Sequence, residues 1–428
     1  RSCCYKNQSS LRKLNVDANG IGDEAGKEMI RALMGQSDLF ELSLGDNEIG
    51  CQSCVALGEL LSCPNTKLEK LNVENNSIDD DGMASLTNAL VTNNTTTLRD
   101  LNLSLNRNIT QTGWQTFAAC LRNPNSALET LDVSSTNLAK EGVASMGYSL
   151  VGNTTLKTLN MYDLGTNGIP NITATGWQDF FACLRNNKEL TLRQLDLRYN
   201  SIDDGGLLAL KYALVGNRSN KSSIEILDLS HNHQIDSTAW RSFFTCLGSP
   251  SVALKELHLC GNNAIADKEM GQMAESLSGN ETLETLNVCE NDSITCSGTA
   301  PFSNLLCDKS SIMSIYESNH TLKMMHLDVN NIHLDAFLKL NQCDNKKDVA
   351  REKILVYHFR NRGQKAGREF LDMNTKVLPR AMSWISKGRD DGAAGHTLLY
   401  KLVKSLPSLF ASAKRVKTCG AKRKQFLL

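Results

Sequence analysis

Apolar residues recur along most of the chain at offsets 0, +3, +5 and about +10, with asparagine at offset +8. The copy made of Leu39, Leu42, Leu44, Asn47 and Ile49 shows the pattern in full. Eleven copies begin at Leu11, Leu39, Leu68, Leu98, Leu128, Leu156, Leu192, Ile224, Leu254, Leu283 and Leu322. Their starts lie 28 to 39 residues apart, a period that indicates a solenoid in which each repeat packs on its neighbours.

Each copy predicts one short strand followed by one helix. Side chains alternate along a strand, so the +3 and +5 residues point inward, and the asparagine that follows can satisfy backbone groups in a turn. Apolar residues at helical spacing then predict helices, for example over residues 82–91, 142–151, 206–215 and 270–277.

The string L-x-x-L-x-L-x-x-N is the leucine-rich repeat signature, and residues 11–332 carry it. A repeat near 29 residues with a full helix resembles the ribonuclease-inhibitor-like class, which includes ribonuclease inhibitors, Ran-type GTPase activators and the sensor regions of NOD-like receptors. The resemblance implies an α/β leucine-rich-repeat solenoid, a horseshoe with parallel strands on the concave face and helices outside. A helical C-terminal cap is expected to close it.

One helix type contains tryptophan at a matched position in every second repeat. Trp114, Trp177 and Trp240 are predicted to pack between neighbouring helices, with a ladder for aromatic ligands as the alternative. The copy that begins at Leu156 departs from the pattern, because Leu164 occupies its +8 position. A longer loop is therefore expected at about residues 163–171, and such a loop can carry binding.

The side chains at offsets +2, +4 and +6 are expected to project from the concave face, where they amount to nine acids and three bases. The carboxylates of Asp132, Asp196 and Asp228 are predicted to share one groove that attracts a basic partner. The alternative is that the +4 residues only form side-chain ladders along the sheet. The candidate partner-binding residues are Asp100, Asp132, Tyr162, Asp196, Arg198, Asp228, Glu256 and His258.

Charge is segregated along the chain, although 46 Lys and Arg balance 46 Asp and Glu overall. Residues 343–428 contain 20 basic and 7 acidic residues, so the body is acidic and the C-terminal region is basic. We expect a helical cap or appended domain over residues 333–413, with helices at 344–359, 375–386 and 396–405, and a basic tail at 414–428. That tail could contact nucleic acid or an anionic surface, or simply be solvated.

Residues 1–10 are expected to be the remnant of a truncated N-terminus, since residue 1 is Arg and not Met. No stretch of 18 apolar residues predicts a transmembrane helix. Of 14 cysteines, Cys120, Cys183 and Cys246 occupy equivalent repeat positions, which indicates buried, reduced thiols. We therefore expect a cytoplasmic protein, with the nucleus as an alternative.

The sequence contains no motif for catalysis or for a cofactor. There is no phosphate-binding loop, no nucleophile elbow and no zinc helix. His258, Cys260, Cys289 and His326 are not predicted to form a soft-metal site, because these residues are spread over three strands. We thus expect neither a cofactor nor a metal.

The expected function is a non-enzymatic scaffold that binds a protein partner on the acidic concave face. The resemblance leaves two alternatives open. The chain could be a GTPase-activating regulator of a small GTPase, or a ligand-sensing fragment of a larger receptor of the NOD-like type. A phosphate-loop motif upstream would favour the second alternative.

Overall fold

The computed structural model describes residues 11–92, 97–138, 140–164, 174–187, 189–216, 222–329, 332–354 and 356–357. Most of the expected 163–171 loop lies outside these ranges, as do the helices expected at 375–386 and 396–405 and the tail at 414–428.

The fold is built on one open sheet of eleven parallel strands arranged in chain order. The strands are β1 (Lys13–Asn15), β2 (Glu41–Ser43), β3 (Lys70–Asn72), β4 (Asp100–Asn102), β5 (Thr130–Asp132), β6 (Thr158–Asn160), β7 (Gln194–Asp196), β8 (Ile226–Asp228), β9 (Glu256–His258), β10 (Thr285–Asn287) and β11 (Met324–His326). Neighbouring strands pair without any shift in register, since Leu14 faces Leu42 and Leu42 faces Leu71. Each repeat therefore contributes the same rung, as the sequence pattern predicts.

A helix follows each strand and packs on the helices of the neighbouring repeats. The helices are α1 (Asp23–Ala32), α2 (Cys51–Leu61), α3 (Asp80–Thr92), α4 (Gln111–Arg122), α5 (Lys140–Leu150), α6 (Ala174–Asn186), α7 (Asp204–Val215), α8 (Ser237–Phe244), α9 (Asp267–Ser276), α10 (Cys296–Leu306), α11 (Ile312–Glu317), α12 (Ile332–Asn341) and α13 (Lys346–Lys353). The predicted α/β leucine-rich-repeat solenoid is confirmed.

A single apolar core runs between the sheet and the helices along the solenoid. It contains the inward residues of each strand, for example Leu42 and Leu44, together with the helix residues that face them. Trp114, Trp177 and Trp240 are at most 1% exposed, and each lies edge-on to a phenylalanine three residues later in its helix. The packing prediction for these tryptophans is confirmed.

Asparagine at offset +8 holds successive turns together. In the second repeat, Nδ2 of Asn47 donates to the backbone oxygens of Leu44 and Gly45 and to that of Val16 in the repeat before. Its Oδ1 accepts from the backbone nitrogens of Asn19 and Ile21. One amide side chain thus bonds backbone groups of two successive repeats.

Helices α12 and α13 follow the last strand, and α13 packs on α11 and α12. Val349, Ala350 and Ile354 are buried there, and Ile354 joins the apolar core. Lys353 is 0% exposed, and its Nζ donates to the backbone oxygens of Leu306 and Asn319. A buried lysine with such partners ties α13 to the tenth repeat, which begins at Leu283.

Candidate concave-face interface

The strand register places the expected concave residues in straight columns. The +4 column contains Asp132, Asp196, Asp228 and His258, the +2 column contains Asp100 and Glu256, and the +6 column contains Tyr162 and Arg198. Asp196 and Asp228 face each other directly across β7 and β8. Asn160 separates Asp132 from Asp196, as the sequence indicates.

The +4 side chains also have a structural role. Oδ1 of Asp132 accepts from the backbone nitrogen of Ser134, two residues later, at 2.9 Å. Six other +4 side chains accept the same bond from the backbone nitrogen two residues later: Asn15, Asn72, Asn102, Asp196, Asp228 and Asn287. An acceptor at +4 therefore closes the turn after each of these strands, which is why both Asp and Asn are found there.

Arg198 changes the charge of the expected groove. Its Nε lies 3.0 Å from both carboxylate oxygens of Asp196, and one terminal nitrogen lies 2.6 Å from Oδ2. The Nε is also 3.5 Å from Oδ2 of Asp228. Burial raises the pKa of Asp228, while the hydrogen bonds that Arg198 donates to Asp196 raise the pKa of Arg198. The pair of aspartates at β7 and β8 is thus partly neutralised from within the chain.

Two other candidate acids have nearby bases. Asp100 lies 3.7 Å from Lys70 on the preceding strand. Glu256 is 3.7 Å from Nε2 of His258, an ion pair only when that imidazole is protonated. Both contacts are exposed, so their contribution to stability is small.

Uncompensated acids are concentrated on the N-terminal repeats. Asp17, Asp46, Glu74 and Asp132 form no ion pair with any described Lys or Arg within 4.0 Å. Burial raises the pKa of Glu74, and the charges of Asp46, Asp132 and Asp17 raise it further. These four residues, which we call the acidic group, therefore repel one another and attract a cationic surface.

An aromatic cluster lies beside this acidic group, formed by Tyr162, Arg198, Tyr199 and His231 from three successive repeats. The rings of Tyr199 and His231 are stacked, with centroids 4.1 Å apart and an interplanar angle of 18°. Tyr162 meets Tyr199 edge-on at 5.4 Å, and Cζ of Arg198 lies 5.2 Å from the centroid of Tyr162. Tyr199 remains 41% exposed, so the cluster offers an apolar surface surrounded by charge.

Tyr199 and His231 were missed in the sequence analysis because both occupy offset +7. Every strand ends at +4, and the +7 residue of each of the first ten repeats has a positive φ, close to 57° at both Tyr199 and His231. Small or polar residues such as Ala18, Asp46 and Ser135 occupy the same offset elsewhere. A bulky ring in this left-handed conformation costs roughly 1–2 kcal/mol, and an aromatic ring at +7 is the signal that could have identified the two residues.

The edge of the sheet at offset +1 is nearly neutral. Arg99 lies between Glu69 and Glu129, and Lys157 pairs with Glu129 at 2.6 Å. Lys255 pairs with Glu225, and Lys323 with Glu284. Charges thus alternate from strand to strand at this edge, so the negative potential comes from the concave columns and not from the rim at +1.

The cysteines and histidines near the C-terminal strands do not form a ligand set. Among the residues that the structure describes, no group of three or more His, Cys, Asp or Glu side chains could hold a metal ion. Burial raises the pKa of Cys260, and it raises that of Cys289 to about 11. Both thiols therefore lose a proton less readily than an ordinary cysteine.

None of the described helices has the length and apolar character needed to cross a bilayer.

Comparisons with known proteins agree with the geometry. A family described as Leucine Rich repeat matches residues 7–29, 65–86, 94–118 and 190–211. The chain is 30% identical over 261 residues to NACHT, LRR and PYD domains-containing protein 14 of Mus musculus, covering 60% of this chain and 24% of that protein. It is 25% identical over 293 residues to the ribonuclease inhibitor of Sus scrofa, covering 62% of this chain and 60% of the inhibitor.

Among solved structures, LegL7 of Legionella pneumophila, a leucine-rich repeat-containing protein, aligns with a TM-score of 0.44 and 15% identity, over 76% of this chain and 96% of that one. The chain spans 24% of the length of the first of the two sequence relatives and 60% of the second. The repeat pattern, the eleven-stranded parallel sheet and the two relatives together identify the chain as a leucine-rich repeat protein of the ribonuclease-inhibitor-like class.

Proposed function

We propose that this protein is a non-enzymatic interaction scaffold that binds a basic protein partner on its concave face. The observation that carries the proposal is the combination of the acidic group with the exposed aromatic cluster on one sheet surface. Interface cores are enriched in Tyr and Arg, and acidic surroundings steer a cationic partner toward them. Leucine-rich repeat proteins are generally binding scaffolds, which agrees with this assignment.

The two parts of the face would act at different stages of binding. Asp46 is exposed and the other three members of the acidic group are partly exposed, so their charges act at long range, raise the association rate and make that rate sensitive to salt. The aromatic cluster contributes buried area after contact and so slows dissociation. Of the sequence-predicted residues, Asp132 belongs to the first part, and Tyr162 and Arg198 belong to the second.

We place the scaffold inside the cell, as the sequence analysis expects. Support comes from the eleven described cysteines, all of which are free thiols, since unpaired buried thiols are typical of reducing compartments. The cytoplasm is the compartment we propose.

The test is a capture experiment with the immobilised full chain in lysate of its native cell at low salt. A concave variant carries Asp46→Asn, Glu74→Gln and Asp132→Asn, all within the acidic group, and the Asn at 132 keeps the turn-closing acceptor at +4. A matched control carries Asp179→Asn and Glu275→Gln, two exposed acids on α6 and α9. We expect a basic protein to be retained by the wild type and the control, and about tenfold less by the concave variant. Equal retention by all three chains would reject the concave-face proposal.

A second candidate function is a sensor region within a larger NACHT-containing protein. The 30% identity to NACHT, LRR and PYD domains-containing protein 14 favours it. Sequencing the full-length transcript tests this assignment. A phosphate-loop motif encoded upstream supports the receptor, and an open reading frame that starts without one contradicts it.

A further inference from the structure

The chain provides its own example of how the concave face handles a guanidinium group. Arg198 packs over the ring of Tyr162 and pairs in a bidentate manner with Asp196. Planar stacking on an aromatic ring and a forked bond to a carboxylate are the two features that distinguish arginine from lysine. The surface thus already combines the two kinds of group that an arginine requires.

A second aromatic ring and two further carboxylates lie next to Arg198 and Tyr162, and each of them is exposed or has a long ion-pair contact. Tyr199 is stacked on His231 but remains 41% exposed. The carboxylate of Glu290 lies 3.7 Å from Nε2 of His231, with 68% of its side chain exposed. Asp228 contacts Arg198 only at 3.5 Å. An exposed ring, an exposed carboxylate and a partly buried carboxylate with a long contact to Arg198 therefore lie within one cluster.

The net charge around the cluster selects the kind of partner. The cluster has one permanent cation, Arg198, which forms ion pairs with two acids. Four acids lie in or beside the cluster: Asp196, Asp228, Glu256 and Glu290. A phosphate backbone or an acidic peptide would be repelled, whereas a cationic side chain is attracted. Lysine satisfies the charge but has no planar face to place against a tyrosine.

We propose that the aromatic cluster is the anchor point of the interface and that it binds an arginine side chain of the basic partner. This inference rests on the proposed function and specifies which chemical group the partner presents. The guanidinium stacks against the exposed part of Tyr199 and pairs with Glu290 and Asp228. The acidic group, by contrast, attracts any cation without distinguishing arginine from lysine.

The experiment compares fluorescein-labelled nona-arginine and nona-lysine peptides, which carry the same charge, by fluorescence anisotropy on the full chain at low salt. The wild type is expected to bind nona-arginine about fivefold more tightly than nona-lysine. Tyr199→Ala should abolish this preference and Tyr199→Phe should keep it. Tyr148→Ala is the matched control, since Tyr148 is a similarly exposed tyrosine on α5.

The possible results separate the anchor from the proposed function. Equal affinity of the two peptides for the wild type overturns the anchor, as does a preference that survives Tyr199→Ala. If both peptides then lose affinity in the concave variant, the acidic face still binds cations and the proposed function stands. Peptide binding that the concave variant does not weaken contradicts the proposed function itself. Circular dichroism melts of each variant verify that the fold is retained.

Discussion

The ring of Tyr199 stacks on the ring of His231, which lies in the following repeat. The repeat after that has Gly261 at the same offset, and this glycine leaves room for the imidazole of His231. A Cβ at Gly261 would clash with Nδ1 and Cε1 of His231, and Gly261 has a φ of +63°. The stack on the concave surface therefore depends on a glycine two repeats after Tyr199. Three residues at the same offset in successive repeats thus form one structural unit.

The first prediction concerns this glycine. Gly261→Ala should displace His231, tilt Tyr199 and remove the preference for arginine peptides. It should also lower the free energy of unfolding by about 1–2 kcal/mol, because alanine is strained at positive φ. Peptide anisotropy and a denaturant titration measure the two effects.

Gly20→Ala is the control for strain alone. Gly20 has a φ of +61°, and a Cβ there would meet no atom within 4 Å. We expect a similar backbone penalty without any effect on peptide preference. Identical binding by the Gly261 and Gly20 variants would show that the stack does not need this space.

The second prediction concerns the asparagine ladder. Nδ2 of Asn232 donates to the backbone oxygens of Leu197, Leu229 and Ser230, and its Oδ1 accepts from the backbone nitrogens of Asn200 and Ile202. Asn232→Ala leaves the backbone oxygen of Leu197 and the backbone nitrogens of Asn200 and Ile202 without these bonds, whereas Leu229 and Ser230 keep a second donor. The free energy of unfolding should therefore fall by about 3 kcal/mol. Asn263→Ala, at an exposed asparagine, should be nearly neutral. Equal urea midpoints for both variants would contradict the ladder's structural role.

The repeat pattern predicts the fold well because the same positions of each repeat are buried. Leucines at +3 and +5 and asparagines at +8 act through local geometry that each repeat reproduces, so strands, helices and register follow from the spacing. The tryptophan packing follows for the same reason. Thr136 shows that the +8 position tolerates a residue other than asparagine. Its hydroxyl donates one hydrogen bond, to the backbone oxygen of Val133, where an asparagine donates several.

The candidate site is less accessible to sequence reasoning. Alternation by two places side chains only while the strand continues, and each strand here ends at +4. Beyond that point the left-handed residue redirects the chain, which is why Tyr199 and His231 were missed. The pairing of Arg198 with Asp196 and Asp228 depends on a side-chain rotamer, which the spacing of residues does not determine.

The third prediction concerns the buried Lys353. Burial lowers the pKa of Lys353 to about 7. Nδ1 of His320 lies 3.1 Å from Nζ of Lys353, and burial is also the main cause that lowers the pKa of His320 to about 4. Between pH 7 and the lysine's ordinary value of 10.5, the unfolded chain binds more protons at this site than the folded protein does. Raising the pH from 7 to 9 should therefore stabilise the fold through Lys353.

Urea midpoints at pH 7 and pH 9 check this sign. Lys353→Met should remove the stabilisation with rising pH and lower the midpoint at both values, since Leu306 and Asn319 lose a donor. Lys347→Met, on the exposed face of α13, should behave like the wild type. A Lys353→Met protein with the wild-type pH dependence would show that Lys353 does not titrate in this range.

The fourth prediction concerns thiol reactivity. Burial raises the pKa of Cys120 and of Cys246 to about 12, and Cys183 is also buried with a raised pKa. These thiols should resist iodoacetamide at pH 8 until the chain is unfolded. Cys296 and Cys343 are exposed and should be labelled first. Mass mapping of the modified peptides checks the order, and rapid native labelling of Cys120 would contradict the packed repeat core.

The central claim is that the partner binds the concave face at the aromatic cluster, and hydrogen exchange of the full chain with and without the captured partner tests it most directly. We predict that binding protects backbone amides in residues 161–164, 197–202 and 229–235, which follow β6, β7 and β8, and leaves exchange in helices α4 to α9 unchanged. Protection confined to those helices, or to residues after 357, would contradict the concave-face account.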